Sequence, residues 1–141
     1  MKKNSKVSVA LHTLFHMVDH NGPVTSEQLG KQQQINPVTI RRILGSLKKF
    51  GIVKSEKGHG GGWIVLKQPS EISFQDIFDA LDETLLPKPI EIEEGENCIV
   101  LKSIASAMED FLDDADLILR MQLKGRKLDE IFTKMANYHQ K

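Results

Sequence analysis

The sequence predicts a mainly α-helical chain with one small β-hairpin, and three patterns support this fold class. Apolar residues within 36–50 recur at i, i+3, i+4 and i+7, which places them on one face of a helix. Two β-rich runs, 52–57 and 63–67, bracket the glycine-rich segment 58–62, which favours a hairpin. Apolar residues across 98–123 keep heptad spacing, which indicates a long dimerisation helix. A helix followed by such a hairpin, or wing, is typical of a winged helix-turn-helix, a fold suited to reading DNA.

The helix within 36–50 has clear start and stop signals. Asn36 is a favoured N-cap residue, and Pro37 suits the first helical position because no donor is lost there. Gly51 is placed to end the helix. The face predicted to be buried consists of Ile40, Ile43, Leu44 and Leu47. Basic residues occupy the other faces, so this is the predicted recognition helix.

Two helices are predicted before the recognition helix. Residues 5–20 have one apolar face and form the first helix. Thr25 and Gln28 make a capping-box pattern that opens a short helix ending near Lys31. Residues 32–35 then form the turn. A short helix, a tight turn and a helix of about thirteen residues fit the helix-turn-helix arrangement.

One more helix and a linker are predicted between the wing and the long helix. Ser73 and Asp76 form a second capping-box pattern. Residues 84–97 contain acidic residues, two prolines and a glycine, which favours an irregular segment. The predicted division is a winged helix-turn-helix domain 1–83, an acidic linker 84–97 and a helical dimerisation region 98–141.

The predicted long helix, with Asn97 as its N-cap, presents an apolar face that one small domain cannot cover. A seam of about 25 residues is about 37 Å long at the standard helical rise. The heptad spacing favours pairing with a second copy, and the alternative is an intramolecular core helix. The predicted dimer-interface residues are Leu101, Ile104, Met108, Phe111, Ala115 and Ile118.

The net charge of zero conceals two oppositely charged halves. Residues 1–70 contain eleven Lys and Arg against three Asp and Glu, a net of +8, and residues 71–141 contain eight against sixteen, a net of −8. A basic half predicts binding to a polyanion, and the alternative is chance segregation on a solvated surface. Cys98 is the single cysteine, which fits a reducing compartment, and no apolar run is long enough for a membrane helix. We therefore expect a cytoplasmic protein with no membrane partner.

No arrangement in the sequence supports catalysis, so we expect no enzyme. Residues 46–49 match an S-x-x-K pattern, but they lie inside the recognition helix without supporting motifs. The glycines of 58–62 lack the Lys-Ser/Thr of a phosphate loop. His12, His16 and His20 have a spacing that can hold a metal, but the ligand shell is incomplete. We expect these to be polar surface histidines and predict no metal site.

Residues 47–55, 58–63 and 69–77 together resemble the Rrf-two family of winged helix-turn-helix transcription regulators. The resemblance covers residues 5–83, and it extends to the long helix in layout only. It implies a homodimer that binds a palindromic operator in double-stranded DNA, usually as a repressor. Cluster-binding members carry three cysteines before the long helix. This chain has one, so no iron–sulfur cluster or other cofactor is expected.

The segment 36–42 resembles a cluster-less branch of that family, in which a cysteine is kept just before the long helix. Some members of that branch sense oxidants through this thiol, which makes Cys98 a possible redox site. The alternative is a packing role at the end of the dimer seam. The stretch 32–34, where a second cysteine sometimes occurs, is Gln-Gln-Gln, so an intersubunit two-cysteine switch is not expected.

The predicted DNA contacts fall on the recognition helix and the wing. Residues 36–42 would enter the major groove, and the wing would reach the backbone or the minor groove. The predicted DNA-binding residues are Asn36, Val38, Thr39, Arg41, Arg42, Lys48, Lys49, Lys54, Lys57, His59 and Gly60. The alternatives are a winged-helix protein–protein interaction module and a metabolite sensor whose pocket lies between the linker and the long helix.

Overall fold

The computed structural model describes residues 1–20, 22–57 and 62–139, and their fold is mainly helical with one small antiparallel hairpin, as predicted. The elements in chain order are α1 (Lys6–Asp19), α2 (Ser26–Gln33), α3 (Pro37–Lys49), β1 (Val53–Ser55), β2 (Trp63–Val65), a 3₁₀ helix (Pro69–Glu71), α4 (Phe74–Leu81), α5 (Ile99–Gly125) and α6 (Asp129–His139). The arrangement α1-α2-α3-β1-β2 is that of a winged helix-turn-helix.

The helix-turn-helix is built from the predicted caps. Both hydrogen bonds of the capping box between Thr25 and Gln28 are present at the start of α2. This helix ends at Gln33, two residues later than predicted, because Gln34 is the first residue to adopt the left-handed conformation, with φ 58°. The N–H of Ile35 then donates to the carbonyl of Gly30 at 2.9 Å and closes the turn.

Helix α3 also begins and ends as predicted. The Asn36 side chain accepts from the N–H of Val38 at 2.9 Å, and Pro37 occupies the first helical position. Gly51 follows the C-cap with φ +74°, a conformation that favours glycine.

The wing contains shorter strands than the sequence predicted, three residues each instead of six and five. Val53 pairs with Val65 and Ser55 pairs with Trp63. On its other side, Trp63 bridges Val24, so β2 is held between the partner strand and the segment that leads into α2.

One hydrophobic core joins α1, α3, the wing and α4, and the chain after α5 returns to it. The four α3 residues predicted to be buried are each at most 4% exposed. Leu128 is also buried, and its N–H donates to the carbonyl of Ile72 at 2.9 Å. Phe132 in α6 packs on Phe15 with ring centroids 4.6 Å apart. The C-terminal segment therefore shares a core with the winged unit.

The long helix α5 differs from the prediction at both ends. It starts at Ile99 with Cys98 as the N-cap residue, so the predicted cap at Asn97 is wrong. Cys98 has an extended backbone (φ −71°, ψ 108°), and its carbonyl accepts the helical hydrogen bond from Lys102 at 3.1 Å. The helix continues through Gly125, and none of its 27 residues is buried. No helix in the described ranges is long and apolar enough to cross a membrane.

Candidate nucleic-acid interface

The buried face of α3 fixes the helix on the core and leaves its other faces in solvent. The five predicted residues at its N-terminal end are all exposed: Asn36, Val38, Thr39, Arg41 and Arg42. The structure therefore brings these five predicted DNA-binding residues together on one surface. The Oδ1 atom of Asn36 already accepts one hydrogen bond as the helix cap, which leaves its second lone pair and the amide NH₂ group for a ligand.

The two arginines of α3 differ in their surroundings. The guanidinium of Arg41 donates to Glu27 in α2, with Nη1 and Oε1 2.9 Å apart. Within the described part of the chain, no carboxylate lies within 4.0 Å of the Arg42 guanidinium. Arg42 is therefore available to an external acceptor, whereas Arg41 must exchange one carboxylate for another partner. No local pattern indicates the contact between Arg41 and Glu27, which joins residues fourteen positions apart.

The predicted lysines differ in whether their side chains already have a partner within the chain. Lys48 at the end of α3 donates to the Ser55 hydroxyl at 3.0 Å, which ties the helix to β1. Lys54 lies 3.2 Å from a Glu56 carboxylate oxygen, so its charge is partly compensated. Lys49 and Lys57 are exposed. The predicted contacts at His59 and Gly60 lie outside the described residues.

Trp63 fixes the wing to the helix-turn-helix, a role that the sequence did not reveal. Its backbone N–H donates to the carbonyl of Val24 at 2.8 Å and its carbonyl accepts from Val24 at 3.2 Å. Its indole N–H donates to the Ser26 hydroxyl at 3.1 Å. A Cβ atom on Gly62 would lie 2.6 Å from the carbonyl oxygen of Val24, so glycine is required there for the close approach.

Two histidines of α1 form a stacked pair. The rings of His12 and His16 have centroids 4.7 Å apart. Burial lowers the pKa of His16 and the neighbouring His12 lowers it further, while Asp19 acts in the opposite direction. Across the described residues, no group of three or more His, Cys, Asp or Glu side chains could hold a metal ion.

The predicted dimer face of α5 is largely uncovered in the single chain. Leu101 and Ala115 are half-buried, whereas Phe111 and Ile118 are 65% and 66% exposed. Ile104 and Met108 are also exposed. The thiol-bearing residue Cys98 is exposed at the start of the same helix, and its N–H donates to the Glu96 carboxylate at 2.9 Å.

A recognition helix with an exposed basic face is tied to the wing by Lys48, and Trp63 ties the wing to the start of α2. This arrangement defines a winged-helix DNA-binding protein. The chain belongs to the Rrf2 family, described as Iron-dependent Transcriptional regulator, whose family model matches residues 3–134. This is the family that the sequence patterns resemble, and its members are transcription regulators rather than enzymes.

Individual relatives support this assignment. The chain is 25% identical to YwnA of Bacillus subtilis over 128 residues, which cover 91% of this chain and 95% of YwnA. It is 27% identical to the HTH-type transcriptional regulator IscR of Erwinia tasmaniensis over 118 residues, 79% of this chain and 68% of IscR. A crystal structure from Lactobacillus plantarum shares the fold with a TM-score of 0.76 at 22% identity, covering 93% of this chain and 89% of the other.

The family description names iron, and the residues of this chain do not fit an iron–sulfur cluster. Such clusters are held mainly by cysteine thiolates. The chain has one cysteine, Cys98, and the described ranges contain no group of three potential ligands that could replace the missing thiolates.

Proposed function

We propose that this protein is a homodimeric repressor that binds a palindromic operator in double-stranded DNA. The observation that carries the proposal is the exposed N-terminal half of α3, where the Arg42 guanidinium has no carboxylate partner among the described residues. A free guanidinium can donate two parallel hydrogen bonds to guanine O6 and N7 in the major groove. Family membership supports the same function.

Two further exposed cations would neutralise phosphates. Lys49 lies at the C-terminal end of α3, Lys57 follows the first strand of the wing, and both are exposed. Such contacts orient a protein on the duplex but carry no base information. The start of α3 would then contact the bases, and the end of α3 and the wing would supply the non-specific affinity for the phosphates.

Pairing through α5 explains why so much apolar surface is left open. Four of the six residues predicted for the interface are exposed in the single chain, and they share one heptad face. A second copy would cover this face and bring two recognition helices to one duplex. Two symmetric half-sites in the DNA follow from such a two-fold arrangement.

The DNA-binding proposal is tested by comparing charge-removing variants on specific and random duplexes. If about six phosphates are neutralised, log K should fall against log salt with a slope of about −5. Arg42→Ala should cost about 1–3 kcal/mol on the specific duplex only. Lys49→Ala should weaken both duplexes alike and reduce the slope by about 1. Lys102→Ala, which removes an exposed lysine of α5, is the matched control and should change neither the affinity for the two duplexes nor the salt slope.

Two results would contradict this assignment. An equal loss on specific and random duplex for Arg42→Ala would make Arg42 a phosphate contact. The absence of salt-dependent duplex binding by the wild type would favour the alternative, a protein–protein interaction module built on the same fold.

The dimer is tested by sedimentation. The wild type should be a dimer at micromolar concentration. Phe111→Glu should make it monomeric, because a charge would be placed in a dry interface. Leu117 is 65% exposed but lies off the heptad face, so Leu117→Glu is the matched control and should remain dimeric. A monomeric wild type would refute the proposal.

We further propose that regulation does not depend on an iron–sulfur cluster and that an oxidant or a small effector is the signal. Cys98 is the redox candidate because its side chain is exposed, and as an N-cap residue it lies next to the unpaired N–H groups of α5. Mild hypochlorite should lower the operator affinity of the wild type and leave Cys98→Ser unchanged. Unchanged affinity of the oxidised wild type, with the modified thiol shown by mass spectrometry, would exclude this role.

A further inference from the structure

The linker leaves an open groove along one side of α5. The groove has a volume of about 510 Å³, within the range of sites that hold drug-sized ligands. One wall is apolar and comes from the linker and from Leu112 of α5. The apolar lining residues are Leu86, Pro87, Pro89, Ile90 and Leu112. A ligand in this groove would therefore place a hydrophobic body against that wall.

A small cavity that adjoins the groove contains an unsatisfied polar atom. This cavity of about 20 Å³ between α4, the linker and α5 shares Thr84, Asp116 and Arg120 with the groove, so the two spaces adjoin. Gln75 lines this cavity and is only 4% exposed. Its Oε1 atom has no hydrogen-bond partner among the described residues, although its Nε2 donates to Asp79 at 2.7 Å. A buried acceptor of this kind calls for a donor from a ligand or a water molecule.

The charges that line the two spaces favour a cation. The lining contains the carboxylates of Glu83, Glu109, Asp113 and Asp116 and one cationic side chain, Arg120. The guanidinium of Arg120 is already compensated, with its Nε 2.8 Å from Asp116 and its Nη1 3.8 Å from Asp79. The site as a whole is therefore negative, and its attraction for a cation is strengthened by the apolar wall.

We infer that this groove binds an amphipathic primary ammonium compound. Its N–H groups would satisfy the Gln75 oxygen, its positive charge would face the carboxylates, and its apolar body would lie against the linker. A neutral or anionic compound of the same shape lacks the charge that the lining selects.

The groove and the predicted dimer face lie on different sides of α5. Glu109 and Asp113 are each two positions from Phe111, which is about 160° around the helix axis. Pairing of two copies through the heptad face would therefore leave the groove open. This geometry argues against the second copy as the occupant.

The groove is placed to influence α3. Arg120 links α5 to Asp79 of α4, and α4 packs against α3 in the common core. A bound ammonium would repel the guanidinium and change how α5 sits on α4. This regulatory step rests on the proposed function, whereas binding to the groove does not.

Three probes of similar shape separate charge from hydrogen bonding. Calorimetric titration of the 141-residue chain would use 4-phenylbutylamine, its N,N,N-trimethylammonium derivative and 4-phenylbutyrate. The amine should bind most tightly, the trimethylammonium compound more weakly because it has no N–H, and the carboxylate not at all. Gln75→Met should remove the advantage of the amine over the trimethylammonium compound. Gln122→Met, at an exposed position of α5, is the matched control and should keep it.

A second pair of variants keeps the test valid if Gln75→Met does not fold. Glu109→Gln/Asp113→Asn should lower the affinity for the amine by about two- to threefold, because these exposed carboxylates line the outer groove and not the cavity at Gln75. Asp110→Asn/Asp114→Asn removes the same charge from exposed positions of α5 that do not line the groove, and it should have little effect. Equal losses in the two double variants, or no amine binding by the wild type, would overturn the inference.

The effect of the amine on DNA binding is measured separately. The amine should lower the affinity of the wild type for its operator and should not do so for Glu109→Gln/Asp113→Asn. If the protein binds the amine but no duplex DNA, the proposed function fails while the groove assignment stands. If it binds DNA but not the amine, the groove assignment fails alone.

Discussion

Replacing Gly30 with alanine should destabilise the protein even though alanine is the better helix former. Gly30 lies in α2, and a Cβ atom there would be 2.5 Å from the carbonyl oxygen of Ile35 and 3.3 Å from Cγ of Pro37. The turn cannot simply move away, because the Ile35 N–H donates to the Gly30 carbonyl at 2.9 Å. Relief of the clash would therefore displace the turn that positions α3.

The size of the effect follows from a comparison with Gly45. Replacement of an interior helical glycine by alanine normally adds up to about 1 kcal/mol of stability. A Cβ on Gly45 of α3 meets nothing within 4 Å, so Gly45→Ala should show that gain. At Gly30 the same gain is opposed by an overpacking cost of about 1–3 kcal/mol. The two variants should therefore differ in free energy of unfolding by about 1–3 kcal/mol.

Urea unfolding followed by circular dichroism measures this difference. Both variants must be compared at one protein concentration, because the stability of a protein that dimerises as proposed depends on concentration. Gly45→Ala should shift the midpoint upward and Gly30→Ala downward with an unchanged m-value. Equal shifts in the two variants would show that the backbones of α2 and the turn do not approach as closely as described.

Three further predictions concern single side chains. Trp63→Phe and Ser26→Ala should each lower the free energy of unfolding by about 1 kcal/mol or more, because each removes the same hydrogen bond of 3.1 Å. The double variant should therefore lose less than the sum of the two single losses, and additive losses in urea unfolding would disprove the bond. NMR titration should show the pKa of His16 in the folded protein below the ordinary value of 6.5. Because the unfolded chain then binds the proton more readily, the contribution of neutral His16 to stability is present above pH 6.5 and is lost as the pH falls through the folded pKa. His12→Gln should raise the pKa of His16, and no change would contradict the pairing of the two rings. Asn36→Ala should cost about 0.5–2 kcal/mol in urea unfolding through loss of the cap on α3, and a neutral result would show that the cap is dispensable.

The sequence predicted those parts of the molecule that depend on neighbours along the chain. The caps at Asn36 and Thr25, the buried face of α3 and the turn at Gly51 each involve residues at most a few positions apart. Local patterns are sufficient for such features because cap and helix-face geometry is set within one or two turns. The exposed reading surface followed from the buried face, since the remaining sides of an amphipathic helix meet solvent.

The contacts that were not predicted join distant segments. The bond from Trp63 to Ser26 spans 37 positions, and that from Arg41 to Glu27 spans fourteen. The return of Leu128 to the core depends on how α5 packs on α4, which no periodicity reveals. The cap of α5 was placed one residue too early because Asn97 has the stronger capping side chain, yet Cys98 occupies the position without a side-chain cap.

The most direct test of a paired DNA reader is to sequence the duplexes that the protein selects from a random pool. Wild-type protein should enrich an inverted repeat whose half-sites are centred about 34 Å, or a multiple of that distance, apart, since each recognition helix enters one major groove. Phe111→Glu, which should separate the two copies, should enrich no such repeat, whereas Leu117→Glu should still enrich it. Selected duplexes that share no inverted repeat, or identical selection by the wild type and Phe111→Glu, would contradict a homodimer that reads a palindromic operator.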